Sequence, residues 1–250
     1  MKRKVSMILI VTLFMLSMSN TPLALGYSTA IHPHNVIIWE IEVVPTESFL
    51  MYYSEGGYWL AEDDSPFTFS ISSVSDDVVG YLNLGNVSVL ANDTEIAKDL
   101  TLGVWGTYTE WWPGLIIDVT SPAVMDLNET AYASAERATG NYLNGTMTSR
   151  FDNITIGEIE HQCIVFDYEQ DPPGNQVTHL AYSLTTGVLI EANTTFTFGT
   201  PYELAFKFMN FAEAVDLSID IGGIIIFTGA FGGGLAAIIV LAFVKLSRSK

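Results

Sequence analysis

The chain has 250 residues, 49% of them hydrophobic, and a formal net charge of −18, with a mean hydropathy of +0.32. A uniformly soluble globule does not combine such apolarity with such charge. So acidic a chain also lacks the basic footprint that phosphate binding requires, which excludes a nucleic-acid partner. The two properties occupy different stretches: uncharged runs lie at the ends, and all 28 acidic residues lie between Glu40 and Asp220.

Taken from the N-terminus, Lys2, Arg3 and Lys4 precede the apolar Val5–Met18, and Ala24-Leu25-Gly26 places small residues at −3 and −1 of a cut. That layout predicts a signal peptide over residues 1–26, with an uncleaved helix over Val5–Leu25 as the alternative. Residues 27–220 form the expected exterior domain, where only Lys98, Arg137, Arg150 and Lys207 oppose the acids, for a net charge of −24. The single cysteine, Cys163, permits no disulfide within the chain, so the domain has to be held by its own core.

Within it, Asn35–Val44, Phe49–Tyr53 and Phe67–Ser72 read as strands, and Val78–Leu84 with Val87–Leu90 as a hairpin about Gly85-Asn86. Asp93–Leu100 is expected as a short helix and Ala123–Ala138 as a longer one, with Ser121-Pro122 at its start and Gly140 at its end. Ile159–Tyr168, Gln176–Leu184 and Val188–Phe198 read as successive strands turning at Asp171–Asn175 and at Thr185-Thr186-Gly187. In the last of these, Ile190, Ala192 and Thr194 alternate with Glu191, Asn193 and Thr195, a period of two that predicts one covered face. Pro201–Val215, rich in aromatics, is expected as a juxtamembrane helix that either packs on the domain or lies at the lipid interface.

Ile221–Val244 is an uncharged run of 24 residues, enough to cross a bilayer, which needs about 20. Lys245, Arg248 and Lys250 follow it while Asp216 and Asp220 precede it. The positive-inside rule therefore predicts a transmembrane helix over 221–244, a cytoplasmic tail over 245–250 and an outer domain before them. Gly229 and Gly233 supply small-xxx-small spacing through which two spans would pair as a homo-oligomer. The fold class expected is α+β, dominated by antiparallel sheet, with a C-terminal single transmembrane helix.

Six triplets fit the N-glycosylation acceptor, at Asn86, Asn92, Asn128, Asn144, Asn153 and Asn193. All lie in the expected outer domain, which favours a glycoprotein from an archaeal or eukaryotic secretory setting and places these asparagines at the surface. His161 and Cys163 on one strand and His179 on its neighbour share residue types that ligate zinc or copper, or form a Cys–His nucleophile pair; ordinary core packing is the alternative. His32-Pro-His34 is a weaker metal pair. Glu62-Asp-Asp64 and Asp76-Asp77 carry the hard oxygen ligands of a divalent cation such as calcium, without EF-hand spacing, and otherwise read as solvated loops. No other cofactor is called for. Trp105, Trp111 and Trp112 are aromatics fit either to bind a glycan or protein surface or to fill a core.

Tyr182-Ser-Leu-Thr-Thr-Gly-Val-Leu189 resembles the Tyr-Asp-x-x-Thr-Gly-x-Leu hairpin of uncharacterised archaeal type-I surface membrane proteins and, more loosely, of lipoprotein-carrier-like curved sheets, with Ser183 in place of the aspartate. The resemblance implies an exported β-rich body near an anchor and, through the carriers, an apolar cavity. The function expected is that of a membrane-anchored cell-surface protein with a non-catalytic binding or structural ectodomain, whose partner is a surface protein, a glycan or an apolar ligand. An apolar-ligand carrier and an extracellular hydrolase are the alternatives.

Overall fold

A computed structural model describes residues 26–85, 87–102, 113–135, 145–172, 175–197 and 201–213, with the dipeptides 226–227 and 239–240. The expected signal peptide before Gly26, the tail, Asn86, Asn144, Trp105, Trp111 and Trp112 lie outside the described residues. So does the expected span, except for Ile226–Phe227 and Ile239–Val240, which pair with each other as short strands. Among the described residues no helix is long and apolar enough to cross a membrane.

The strands are β1 (Asn35–Val43), β2 (Phe49–Met51), β3 (Gly57–Trp59), β4 (Pro66–Val74), β5 (Val78–Leu84) and β6 (Val87–Asn92). Helix α1 (Asp93–Ala97) then runs into a π-helical turn, Lys98–Leu102, and α2 covers Ser121–Ala135. The second half holds β7 (Gly145–Ile156), β8 (Ile159–Gln170), β9 (Val177–Ser183), β10 (Leu189–Phe196) and β11 (Tyr202–Glu213). Nine strands form one sheet in the order β6-β5-β4-β1-β11-β10-β9-β8-β7, while β2 and β3 form a separate hairpin. The pairings are antiparallel throughout. The chain therefore starts at the centre, walks outward to β6, crosses through its helices to the far edge and walks back inward until β11 meets β1.

Local sequence accounts for most of these elements. Gly85 turns β5 into β6 with a φ of +60°, a left-handed conformation that glycine adopts without a Cβ penalty. Asn92 caps α1, its Oδ1 accepting the Glu95 N–H at 2.8 Å. Along β10 the expected alternation is present, with Ile190, Ala192 and Thr194 buried and Glu191, Asn193 and Thr195 more open.

One sheet face is the core. Ile41, Phe206, Ala192, Leu180 and Phe166 stand in register across five adjacent strands, and all are buried. Trp39 is fully buried, stacked on Phe67 with centroids 5.1 Å apart, and Phe67 meets Phe206 edge-on at 5.0 Å. The Trp39 indole Nε1–H donates to the Leu189 carbonyl at 2.8 Å, so the polar end of the ring is satisfied inside an apolar site. The β2–β3 hairpin packs on this face through Met51 and Trp59. The π-turn offers the Leu100 and Thr101 carbonyls to Tyr202 Oη–H at 2.9 Å and Thr194 Oγ1–H at 2.7 Å. Residues 113–119 lie over the β9–β10 turn, where Leu189 N–H donates to Leu115 and Ile117 N–H to Gly187. Helix α2 lies on β7 through Val124, Ala131 and Tyr132, whose hydroxyl accepts the Ser149 N–H at 3.0 Å.

The expected helix over Pro201–Val215 is a correction: this segment is β11, a strand near the middle of the sheet. Its buried residues include Tyr202, Leu204, Phe206 and Phe208, alternating with Glu203 and Lys207. That period of two was present in the sequence, but the same aromatics also fit a helical face. The free edges of β1 and β10 decide between the two, since a strand satisfies both ladders and a helix neither. The expected Phe49–Tyr53 strand stops at Met51 because the chain turns back into β3.

Trp39→Ala is expected to cost about 3–5 kcal/mol, the range for emptying a buried aromatic site, whereas Ser72→Ala at an exposed position should stay within about 0.5 kcal/mol. Chemical denaturation followed by circular dichroism checks both.

Candidate functional site

The three residues expected to share a site lie on strands β8 and β9, and the register separates them. His179 stands opposite Asp167, whereas Cys163 stands opposite Ser183, four residues away along each strand. At roughly 3.3 Å per residue that is about 13 Å, too far for a shared metal or a nucleophile–base bond. Cys163 is 0% exposed, and its thiol donates to the backbone carbonyl of His161 rather than to the ring. Burial, with a smaller push from Asp152 and Glu191, moves the thiol up to about 11. His161 stands edge-on to Phe208 with centroids 6.0 Å apart, and burial depresses its basicity.

His179 instead joins a chain of charges on the sheet face opposite the core. Its Nδ1–H donates to Asp167 Oδ1 at 2.6 Å, Asp167 also accepts from Arg150, and the Arg150 Nε–H donates to Asp152 at 3.1 Å. Burial pushes the Asp167 carboxyl up, but the bonds from His179 and Arg150 outweigh it and hold the group below its usual range. Nearer the centre of the same face, Lys207 meets Glu42 at 2.5 Å and Glu40 at 3.4 Å. Two of the four basic residues between 27 and 220 are therefore spent on this face.

The structure also identifies buried acids that the sequence did not single out. Asp99 accepts the N–H groups of Tyr53 and Ser54, each at 2.8 Å, and the Ser54 hydroxyl. It ties the turn after β2 to the π-helical segment. Asp93 accepts Ile116 N–H at 3.0 Å and Val78 N–H at 3.2 Å. Its carboxyl is raised well above the usual range, first by burial and then by a hydrogen-bonded Asp77 carboxyl beside it. Asp77, one half of the expected cation pair, therefore lies against the buried Asp93 carboxyl.

Glu62, Asp63 and Asp64 form an exposed turn in which the Asp64 N–H donates to Ile41. His32 and His34 are exposed, and the His32 ring bonds the Pro33 carbonyl. Among the described residues no group of three or more His, Cys, Asp or Glu side chains converges as metal ligands would. Of the described acceptor asparagines, Asn153 is exposed, and Asn92, Asn128 and Asn193 are half-buried.

The surface best shaped for contact is the outer side of the β2–β3 hairpin. Phe49, Met51 and Trp59 point inward, with Phe49 edge-on to Trp59 and to Tyr202 at 5.3 Å each. Tyr58 is 71% exposed, Tyr52 62% and Leu60 57%. Exposed Glu47, Glu55, Glu62, Asp63 and Asp64 lie in the same stretch. A depression of about 530 Å³ separates the hairpin turn from β6, lined by Tyr53, Ser54, Glu55, Gly56, Leu90 and Glu95. The signal for this surface was Met51-Tyr-Tyr-Ser-Glu-Gly-Gly-Tyr-Trp59, in which aromatics flank a glycine pair. Which rings face out depends on the hairpin register.

No protein-family model, curated protein or solved structure matches the chain.

With so little thiolate, Cys163 in the native chain is expected to react with a maleimide at least roughly a hundredfold more slowly than in denaturant; labelling time courses read by intact mass check this. Asp93 yields a pH prediction of definite sign. The folded state holds a proton that the unfolded state releases, so stability falls as pH rises from the ordinary carboxyl range through the raised Asp93 value. Asp93→Asn should remove that slope, and Asp93→Ala should cost about 1–3 kcal/mol for each stranded N–H donor. Denaturation midpoints across a pH series measure both effects.

Proposed function

We propose that this chain is a membrane-anchored cell-surface protein whose sheet domain is a non-catalytic binding module. The observation that carries the reading is the β2–β3 hairpin. Its inner side packs on the core while its outer side presents Tyr52, Tyr58 and Leu60 to solvent. Tyrosine gives a large contact area with few rotatable bonds to fix, which is what a binding anchor needs. The core beneath holds the hairpin in place, so little ordering cost is left for the moment of binding.

The acids around the patch select the partner. Glu47, Glu55, Glu62, Asp63 and Asp64 place negative charge beside the aromatic centre, which favours a protein surface with an apolar middle and a basic rim. Export and anchoring are supported by the basic–apolar start, the uncharged Ile221–Val244 run with Lys245, Arg248 and Lys250 after it, and the acceptor triplets between them.

A photo-crosslinking side chain in place of Tyr58, in the full chain expressed in its own cells, is expected to capture a discrete partner through a peptide flanked by Lys or Arg. The same side chain at Ser72 should capture none, and salt should lower the yield by weakening the rim. Equal capture at both positions, or at neither, would refute the reading.

A further inference from the structure

The two edges of the nine-stranded sheet are β6 and β7, and they differ. Helix α2 lies on β7, where Tyr132 accepts the Ser149 N–H and Asn128 accepts the Ser149 hydroxyl. Strand β6, Val-Ser-Val-Leu-Ala-Asn, carries neither a charge nor a proline to guard its edge. Its register with β5 shows which backbone groups are free. Leu84↔Val87 flank a two-residue turn, so that pair and its alternates, Leu82↔Val89 and Gly80↔Ala91, exchange the ladder bonds. The N–H and C=O groups of Ser88 and Leu90 therefore point away from the sheet. Among the described residues these groups have no hydrogen-bond partner.

The free side of β6 borders the depression of about 530 Å³, which residues 87–90 line on one side and residues 53–56 on the other. Successive residues of a strand point to opposite faces, so a hollow bordered by four in a row follows the backbone edge instead of covering one face. The two faces along it differ in chemistry. On the core side the hairpin turn closes on Val89, where a Cβ on Gly56 would lie 3.0 Å away. Glu55 of that turn and Glu95 of α1 line the hollow, while Lys98 lies over the Tyr53 ring, 5.7 Å from its centre. On the outer side Leu90 is exposed, and so is Tyr81, its partner across the ladder.

We propose that the β6 edge takes up an extended protein segment in which apolar residues alternate with Lys or Arg, seated as an added strand in the groove beside the hairpin turn. Main-chain bonds to Ser88 and Leu90 hold such a segment, and the two faces select its side chains. Residues opposite Ser88 and Leu90 point outward, onto Leu90 and Tyr81, which favours apolar groups. Residues opposite Val87 and Val89 point to the hairpin side, toward Glu55 and Glu95, which favours a base. A second copy of this chain fits poorly, because its own β6 edge would bring Glu55 and Glu95 against the same two acids. None of Tyr52, Tyr58 and Leu60 lines the groove, so strand addition here does not depend on the outer patch of the hairpin.

The probe is a fluorescent peptide of alternating valine and lysine, seven residues long with valine at both ends, titrated by anisotropy against the full chain in detergent. It is expected to bind saturably, and at least about tenfold more tightly than a peptide of the same composition with its lysines in one block. In the bound register valine N–H groups face β6 and lysine N–H groups face away. Methylating the valine nitrogens should therefore weaken binding at least about tenfold, whereas methylating the lysine nitrogens should not. In the protein, Leu90→Pro deletes an outward N–H that β5 does not use and should weaken binding by a similar factor with an unchanged circular dichroism spectrum. Should that variant unfold, the paired methylations decide. Glu55→Gln with Glu95→Gln should weaken binding and flatten its salt dependence. No binding of the parent peptide, equal binding of the block peptide, equal loss from both methylations, or full binding by a folded Leu90→Pro chain would overturn strand addition. Unchanged binding by the double glutamine variant would overturn the basic partner.

Discussion

The pairing of β1 with β11 is the constraint on which the rest of the structure depends. It joins Asn35 to Glu213 and Val43 to Ala205, the first and last strands of the sheet, and it alone links the outward meander β1-β4-β5-β6 to the inward meander β7 through β11. Every other pairing in the sheet joins strands that are near neighbours in the chain, apart from the excursion of the β2–β3 hairpin between β1 and β4. This seam closes a very long loop, so its cost is chain entropy that only a well-packed site can offset. Trp39 supplies that site. Its ring stacks on Phe67 of β4, and Phe67 meets Phe206 of β11. The indole donor reaches Leu189 of β10, so one side chain holds strands of both meanders. Register shifts between Ile38 and Trp39 and between Ile41 and Val43 add local twist where the two meanders meet.

The acidity of the domain is accommodated by treating buried carboxylates in three ways. Asp99 accepts three hydrogen bonds from a single turn. The Asp93 carboxyl is held well above its usual range, first by burial and then by the Asp77 carboxyl beside it. Asp167 is half exposed and takes a histidine and an arginine. Most of the remaining acids stay at the surface, where water screens their repulsion. The few bases are concentrated to match: Arg150 and Lys207 each bind two carboxylates on the open sheet face, and Lys98 lies over the Tyr53 ring, 5.7 Å from its centre.

These allocations assign the surfaces. The face with Trp39 is core, and the opposite face carries the Arg150–Asp167–His179 chain and Lys207 with Glu40 and Glu42, beside buried Cys163, Val165 and Ala181. Among the described residues the hairpin groups exposed apolar side chains most closely, at Tyr52, Tyr58 and Leu60, while Met125, Ile159, Val177 and Met209 are exposed singly elsewhere. On the hairpin, exposed tyrosines lie among acids.

The amino-acid sequence by itself determined the antiparallel, sheet-dominated fold, the boundaries of β1, β5 and β8 through β10 to within a few residues, and the starts of both helices. These follow from period-two alternation, Gly85 and Gly187 at turns, and local capping groups, all of which act over a few residues. Tertiary structure decided what depends on partners distant in the chain. Whether Tyr202, Phe206 and Phe208 lie on a helix or a strand was settled by the edges of β1 and β10. The separation of His179 from Cys163 was settled by the register of β8 on β9, since the same face does not mean the same place on it. The meeting of Asp77 with Asp93, and of His179 with Asp167, needed folded distances as well. Alternation assigns a side chain to a face, and only pairing across the sheet assigns its neighbours.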